Sequence, residues 1–338
     1  MALPASSRFA LTPDTEICRI LNGMWQVSGA HGRIDPARAV EMMFAYHDSG
    51  FTTWDLADHY GPAEDLIGEF RRRFAERRGE KQLGEIQAFT KWVPHPGPMT
   101  RRIVEDAVGV SLRRMRVDCL DLLQFHWWDY ADRRYLDALQ HLADLRDHGK
   151  IRQLALTNFD TERLAVIADN GIRIVSNQVQ YSLVDRRPEA RMAAWCQEHG
   201  VSLLSYGTLL GGLLSEEYLG RPEPGHSELN TASLQKYRRM IDAWGGWALF
   251  QELLAALKRI ADKHGVSIAN IGTRCVLDRP AVAAVIIGAR LGLAEHIAAN
   301  ARAFDVVLDT DDFAALEPVL AKAGDLMRVI GDCGDEYR

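Results

Sequence analysis

The chain has 338 residues, 47% of them hydrophobic and 25% charged, a balance that excludes disorder and leaves ample apolar mass for a core. Its net charge is −6 with acids and bases interspersed, so neither nucleic acid nor an anionic membrane surface is an expected partner. The five cysteines, Cys18, Cys119, Cys196, Cys275 and Cys333, are odd in number, far apart and without a CxxC pair, so no metal site is assigned and reduced thiols are expected.

The opening stretch MALPASSRFALTPD lacks a basic start followed by an apolar run, and the longest apolar run, Ala281 to Ile287, falls far short of the ~20 residues a bilayer helix needs. These features predict a cytoplasmic protein with no membrane span. They leave the oligomeric state open.

In chain order, short β-rich runs end near Trp25 (RILNGMW), Asp55 (FTTWD), Lys91 (IQAFTK), His126 (LDLLQFH), Thr157 (IRQLALT), Gln178 (IRIVSNQ), Tyr206 (VSLLSY) and Gly288 (AAVIIG). Amphipathic stretches lie between them. One is PAEDLIGEFRRRFAERRG, opened by Pro62, closed by Gly79, with Leu66, Ile67, Phe70 and Phe74 on one face. Strands that alternate with helices predict a parallel sheet, and this number of units closes into a (β/α)8 TIM barrel spanning 1–338 as one domain. The interval after the seventh strand is much longer than the others and rich in Gly, Pro and polar residues. Residues 207–247 are therefore read as a loop insertion serving as a lid, with helices at the C-terminal end of the chain.

Active sites of such barrels lie at the C-terminal ends of the strands. Here those ends carry Asp55, Lys91, His126, Asn158 and Gln178, with Tyr60 and Tyr206 close by. Singly, each has an ordinary explanation: Asp55 as a helix cap, Tyr60 as a loop aromatic, His126 as a hydrogen-bonded core histidine. Lys91 is harder to dismiss, because an ammonium entering an apolar barrel end loses hydration and needs a carboxylate, which Asp55 on the neighbouring strand can supply.

WDLADHYG, FTKW, LLQFHW, LTNF and SNQVQYSLVDRR, in that order, resemble the successive motifs of the aldo-keto reductase superfamily across almost the whole chain. The resemblance implies a catalytic tetrad of Asp55, Tyr60, Lys91 and His126 that reduces an aldehyde or ketone to an alcohol with hydride from NADPH. Tyr60 would be the general acid, its phenol made more acidic by Lys91, while Asp55 holds Lys91 and His126 orients the carbonyl and steadies the oxyanion. The resemblance also places the nicotinamide carboxamide against Asn158 and Gln178, with Thr157 where serine is common, and the ring on Tyr206. The last strand leads through Gly288 into IIGARLGLAEHIAANARAF, resembling the segment that holds the adenosine 2′-phosphate at a helix N-terminus; Arg290 is assigned to the phosphate, His296 as a second contact and Asn300 to the adenine.

Two departures bear on the cofactor. The stretch from Gly288 to Asn300 is two residues longer than the common form, with Ala299 where Glu is frequent, so NADH stays as the less favoured alternative. Gly207 in SYGTLLGG stands where YSPL is common, so Gly207 and Leu209 are assigned backbone contacts to the pyrophosphate. Trp25, Trp127 and Trp128 are candidates for an apolar substrate wall; His31, His59 and the acidic tail GDCGDEYR receive no role. No GxGxxG follows a strand, no Tyr-x-x-x-Lys is present, and HxH and GxSxG are absent, which excludes the Rossmann, metal-hydrolase and α/β-hydrolase readings. The rival from another class is a non-turnover NADPH-binding regulatory subunit.

Overall fold

The computed structural model describes residues 3–29, 34–225 and 227–338. An antiparallel hairpin, β1 (Arg8–Thr12) and β2 (Thr15–Cys18), precedes a closed barrel of eight parallel strands. These are β3 (Ile20–Gly23), β4 (Thr53–Asp55), β5 (Gln87–Trp92), β6 (Leu120–Phe125), β7 (Ile151–Thr157), β8 (Ser176–Gln180), β9 (Ser202–Tyr206) and β10 (Val282–Gly288), in sequential order, with β10 pairing back onto β3. The first strand stops at Gly23, and Trp25 begins a short 3-10 turn through Ser28 instead of ending the strand.

Each crossover carries a helix: α1 (Pro36–Asp48), α2 (Ala63–Arg78), α3 (Arg101–Met115), α4 (Tyr135–Asp147), α5 (Thr161–Asp169) and α6 (Met192–His199) follow the first six barrel strands. In α2 the reasons are local. Glu64 and Asp65 occupy the first turn and Arg77 and Arg78 the last, complementing the helix dipole, and Gly79 at φ 95° ends it where a side chain would be strained. Leu66, Ile67, Phe70 and Phe74 are buried against the sheet, as the periodicity predicts.

The apolar interior has two layers around the strands. A large shell lies between barrel and helices. A small inner cluster of Leu21, Phe89, Leu122, Ala155, Leu204, Ala283 and Ala284 fills the barrel and includes Leu11 and Ile17 of the hairpin. The hairpin, which has no counterpart in the sequence-based expectation, thus stops the barrel at the end where the strands begin.

After β9 the chain does not run as one loop. Residues 219–225 and 227–231 are irregular apart from brief turns, but α7 (Ala232–Trp244) follows, capped by Thr231 and burying Tyr237, Met240, Ile241 and Trp244. α8 (Gly246–His264) and α9 (Ile268–Leu277) then lead into β10. The polar sequence ASLQKYRRM disguises an amphipathic helix, whose apolar side forms a second cluster with α8, α9 and α11 (Thr310–Leu320). Before α11 comes α10 (Ile297–Ala301), and α12 (Leu326–Val329) precedes the tail.

Candidate active site

Because the barrel strands are parallel, their C-terminal ends share one rim, and the polar residues that end them face one another. Asp55 closes β4 and Lys91 sits one residue from the end of β5, each 3% exposed. Lys91 Nζ donates to Asp55 Oδ1 and Oδ2, both at 2.8 Å, and to the Leu56 carbonyl at 3.0 Å, so its three hydrogens are all committed. Burial pulls the ammonium below its ordinary value of 10.5, and the facing Asp55 carboxylate opposes that pull.

A third member of this network went unnoticed in the sequence. Gln124, fully buried on β6, donates to Asp55 Oδ1 at 3.0 Å, while its carbonyl oxygen accepts from Gln178 Nε2 at 2.7 Å. The available signal was strand parity: Gln124 lies two residues before His126 and so shares its inward face. Gln178 Nε2 also donates to Asp55 Oδ1 at 2.6 Å. Both of its hydrogens therefore point inward, leaving its carbonyl oxygen as the group it can offer a ligand.

Tyr60 follows β4 in a turn closed by its own N–H to the Ala57 carbonyl. Its ring lies 5.2 Å from Lys91 Nζ and packs edge-on against Trp25 at 4.9 Å and His59 at 4.8 Å. The phenol is pushed well above 10, by burial first and then by the charges of Asp55, Tyr337 and Asp58. This is opposite in direction to the expectation that Lys91 acidifies Tyr60. The physical reason is burial, which disfavours the phenolate, while an ammonium closed on a carboxylate presents little net charge to offset it.

His126 follows β6, 3% exposed, with Nδ1 3.1 Å from the Thr157 carbonyl. A carbonyl only accepts, so Nδ1 carries the hydrogen, and the neutral ring has a bare lone pair at Nε2, which is buried and has no partner among the described residues. Burial lowers the imidazole to about 4. At neutral pH His126 is thus an acceptor at Nε2, not the donor that steadying an oxyanion requires.

Asn158, directly after β7, adopts φ 58°, a left-handed conformation that asparagine tolerates better than most residues. Its backbone N–H donates to the main-chain carbonyl of Gln178 at 2.8 Å, and its Oδ1 accepts from the Tyr206 hydroxyl at 2.9 Å. Asn158 therefore offers its side-chain amide as a donor and Gln178 its side-chain carbonyl oxygen as an acceptor, the complement of a primary carboxamide, so these residues fit a nicotinamide. Thr157 is buried and its hydroxyl donates to the main-chain carbonyl of Gln178 at 3.3 Å.

Gly207 has φ 72°, and a Cβ there would lie 2.5 Å from the Tyr237 hydroxyl, so α7 packs on the backbone where the common motif has a side chain. Leu209 is half-buried in the turn that follows. Gly288 ends β10, its Cα pressed by Gln26 Nε2, which a Cβ would meet at 2.0 Å. Arg290 is exposed and makes no ion pair among the described residues; His296 caps α10, and Asn300 lies within it. That helix has five residues. Any phosphate recognition there falls to the arginine, not to a helix dipole.

The tryptophans divide. Trp128 is 38% exposed and stands edge-on to His126 at 4.4 Å, and Trp25 adjoins Tyr60. Trp127 is a correction: it is fully buried, its indole donating to the Asp129 and Asp132 carbonyls at 2.7 and 2.9 Å. One residue past His126, it points to the opposite side of the sheet and belongs to the outer core. His31 lies outside the described residues.

Residues 19–321 match the family model described as Aldo/keto reductase family. Flagellar radial spoke protein 5 of Chlamydomonas reinhardtii is 29% identical over 260 residues, covering 66% of this chain and 49% of that protein, so the match spans about half that relative's length. Aldo-keto reductase YhdN of Bacillus subtilis (strain 168) is 27% identical over 293 residues, covering 81% of this chain and 82% of that one. Among solved structures, the thermostable aldo-keto reductase Tm1743, in complex with the inhibitor epalrestat, aligns at TM-score 0.68 and 26% identity over 90% of this chain and 96% of its own. With the barrel and the family model coinciding over most of its length, the chain belongs to the aldo/keto reductase family, whose members generally reduce carbonyl compounds with NAD(P)H.

Proposed function

We propose that the protein reduces an aldehyde or ketone to an alcohol with NADPH, Tyr60 supplying the proton. The observation that carries this reading is the meeting, at one barrel rim, of a neutral phenol, a buried Lys91–Asp55 pair 5.2 Å from its ring, and a carboxamide-shaped donor and acceptor on Asn158 and Gln178.

NADPH, when bound, supplies the hydride. The chain's own groups do the rest. Tyr60 keeps its proton at neutral pH, and an alkoxide is a far stronger base than a phenolate, so transfer from the Tyr60 hydroxyl runs downhill once negative charge forms on the substrate oxygen. The phenolate left behind would draw Lys91 from Asp55, which is the step at which the ammonium contributes. His126 Nε2 accepts a hydrogen bond, which suits the product hydroxyl or a hydroxyl neighbouring the carbonyl. Trp25 and Trp128 wall the approach.

The NADPH assignment is supported by Arg290, an exposed guanidinium just beyond β10 with no ion pair among the described residues. Arg290→Ala is expected to weaken NADPH binding while leaving NADH unchanged; equal effects on both would remove the phosphate role. For the reaction, a panel of aldehydes and ketones followed by NADPH absorbance is expected to show multiple turnovers. Tyr60→Phe should lower kcat about a hundredfold or more, the usual contribution of a positioned acid, with cofactor affinity retained. Turnover at the wild-type rate in that variant would remove Tyr60 from the role.

A further inference from the structure

The last eight residues, 331–338, lie beyond the segment that matches the family model, yet they reach the barrel mouth. Their seat is built. Arg187, 2% exposed, is paired with Asp185 at 2.8 Å, donates to the Asp332 carbonyl at 3.0 Å and binds Glu336 Oε2 at 3.0 Å. Asp332 accepts the Thr161 N–H at 2.9 Å, and Cys333 is fully buried. Gly334, at φ 94°, lies so close to the Asn158 carbonyl that a Cβ would come within 2.1 Å of it. Arg338 donates to that same carbonyl at 3.0 Å and to the Trp127 carbonyl at 2.6 Å.

The contacts at the mouth form a directed chain. Lys236 of α7 donates to the Tyr337 hydroxyl oxygen, since an ammonium only donates. Tyr337 is left to donate its own hydrogen to the Tyr206 oxygen, 3.2 Å away, and Tyr206 donates its single hydrogen to Asn158 Oδ1 at 2.9 Å. Glu336 Oε1, 3.3 Å from the Tyr206 hydroxyl, is a second and longer acceptor for that same hydrogen. The direction of this chain decides which end of the Asn158 amide faces the mouth. Without it, the amide could turn either way, and a turned amide would set two acceptors, Asn158 Oδ1 and the Gln178 carbonyl, against a carboxamide that has one acceptor of its own.

We propose that the C-terminal tail is a positioning element of the nicotinamide subsite: Tyr337, held by Lys236 and by the Arg187–Glu336 anchor, fixes the Tyr206 hydroxyl and through it the Asn158 amide in the orientation that receives the carboxamide. Tyr337 and Lys236 are positioning residues acting through Tyr206. The inference rests on the cofactor reading given under the proposed function. It implies that the nicotinamide end of the cofactor, and not its adenosine end, senses the tail.

The test is calorimetric titration of the full-length protein and its Tyr337→Phe and Lys236→Gln variants with NADPH, NADH, and the nicotinamide-free fragments 2′-phospho-ADP-ribose and ADP-ribose. Tyr337 is exposed and Lys236 half-buried, and thermal unfolding run in parallel checks that the fold is kept. The expected result is a loss of about fivefold in affinity for the dinucleotide the wild type prefers, as for one lost hydrogen bond, with fragment binding unchanged. Unchanged dinucleotide affinity in both variants would overturn the positioning role. Equal losses for dinucleotide and fragment would also overturn it, because the tail would then act on the whole groove. A wild-type protein that binds the fragments but gains nothing from the nicotinamide would instead overturn the reading on which the inference rests.

Discussion

A carboxylate and an ammonium that are both dehydrated are stable only together, and Asp55 and Lys91 are each 3% exposed with two contacts of 2.8 Å between them. Asp55→Asn leaves the ammonium without its counter-charge, and Lys91→Met strands the carboxylate; each is expected to lower stability by about 3–5 kcal/mol. The double variant Asp55→Asn/Lys91→Met should lose less than either single change, read by urea unfolding, whereas additive losses would mean that the pair is not coupled. His126 gives a second test. Its ring titrates at about 4 when folded against 6.5 ordinarily, so between those values the unfolded chain binds a proton that the folded one refuses. Stability should therefore fall as pH drops from 6.5 towards 4, by at most about 3 kcal/mol from this residue, and the His126→Gln variant should show a correspondingly flatter profile. Profiles of equal slope would show that His126 is not the titrating group. At this scale the rim residues are legible because a polar side chain closing an apolar strand has few other places to be. The orientation of the His126 ring and the inward commitment of Gln178 are not, since both depend on partners, Thr157 and Gln124, from neighbouring strands.

Elements are read from sequence by period, and the barrel strands are visible because each is a short apolar run cut off by a polar rim residue. Their helices are equally plain. α7 escapes because polar residues, Gln235, Lys236 and Arg239, crowd its sequence directly after a Gly- and Pro-rich stretch, although Leu234, Tyr237, Ile241 and Trp244 keep helical spacing. The tail escapes for a different reason: eight residues with no period give no sign that Arg187, far away in sequence, will bind Glu336. Its seating makes a prediction proper to this scale. Gly334→Ala puts a methyl group within 2.1 Å of the Asn158 carbonyl at φ 94°, so the tail must lift. Deuterium uptake should rise across 331–338 and at Tyr206 while the barrel strands keep their protection. Uptake unchanged in the tail would show that the close approach is not maintained in solution.

A closed barrel has no edge strand to fray, so its interior, its rim and its stopper stand or fall together. The family model begins at residue 19, just after the hairpin, and the hairpin also lies outside what periodicity could place, because two short strands with one buried face read much like any irregular leader. Its consequence appears only when the ring closes: Leu11 and Ile17 complete an inner cluster whose other members come from β3, β5, β6, β7, β9 and β10. Ile17 is fully buried, so Ile17→Ala removes contacts to several strands at once and is expected to cost about 2–5 kcal/mol. If the hairpin is an integral stopper, the loss should move the whole barrel in one step. Far-UV circular dichroism and the fluorescence of buried indoles such as Trp54, which belongs to the outer shell and not to the inner cluster, should then shift to the same lower denaturant midpoint. A variant whose fluorescence midpoint stayed at the wild-type value while a small early phase appeared in the dichroism would show instead that the hairpin unfolds as a separate unit, leaving the barrel to be closed by its own side chains.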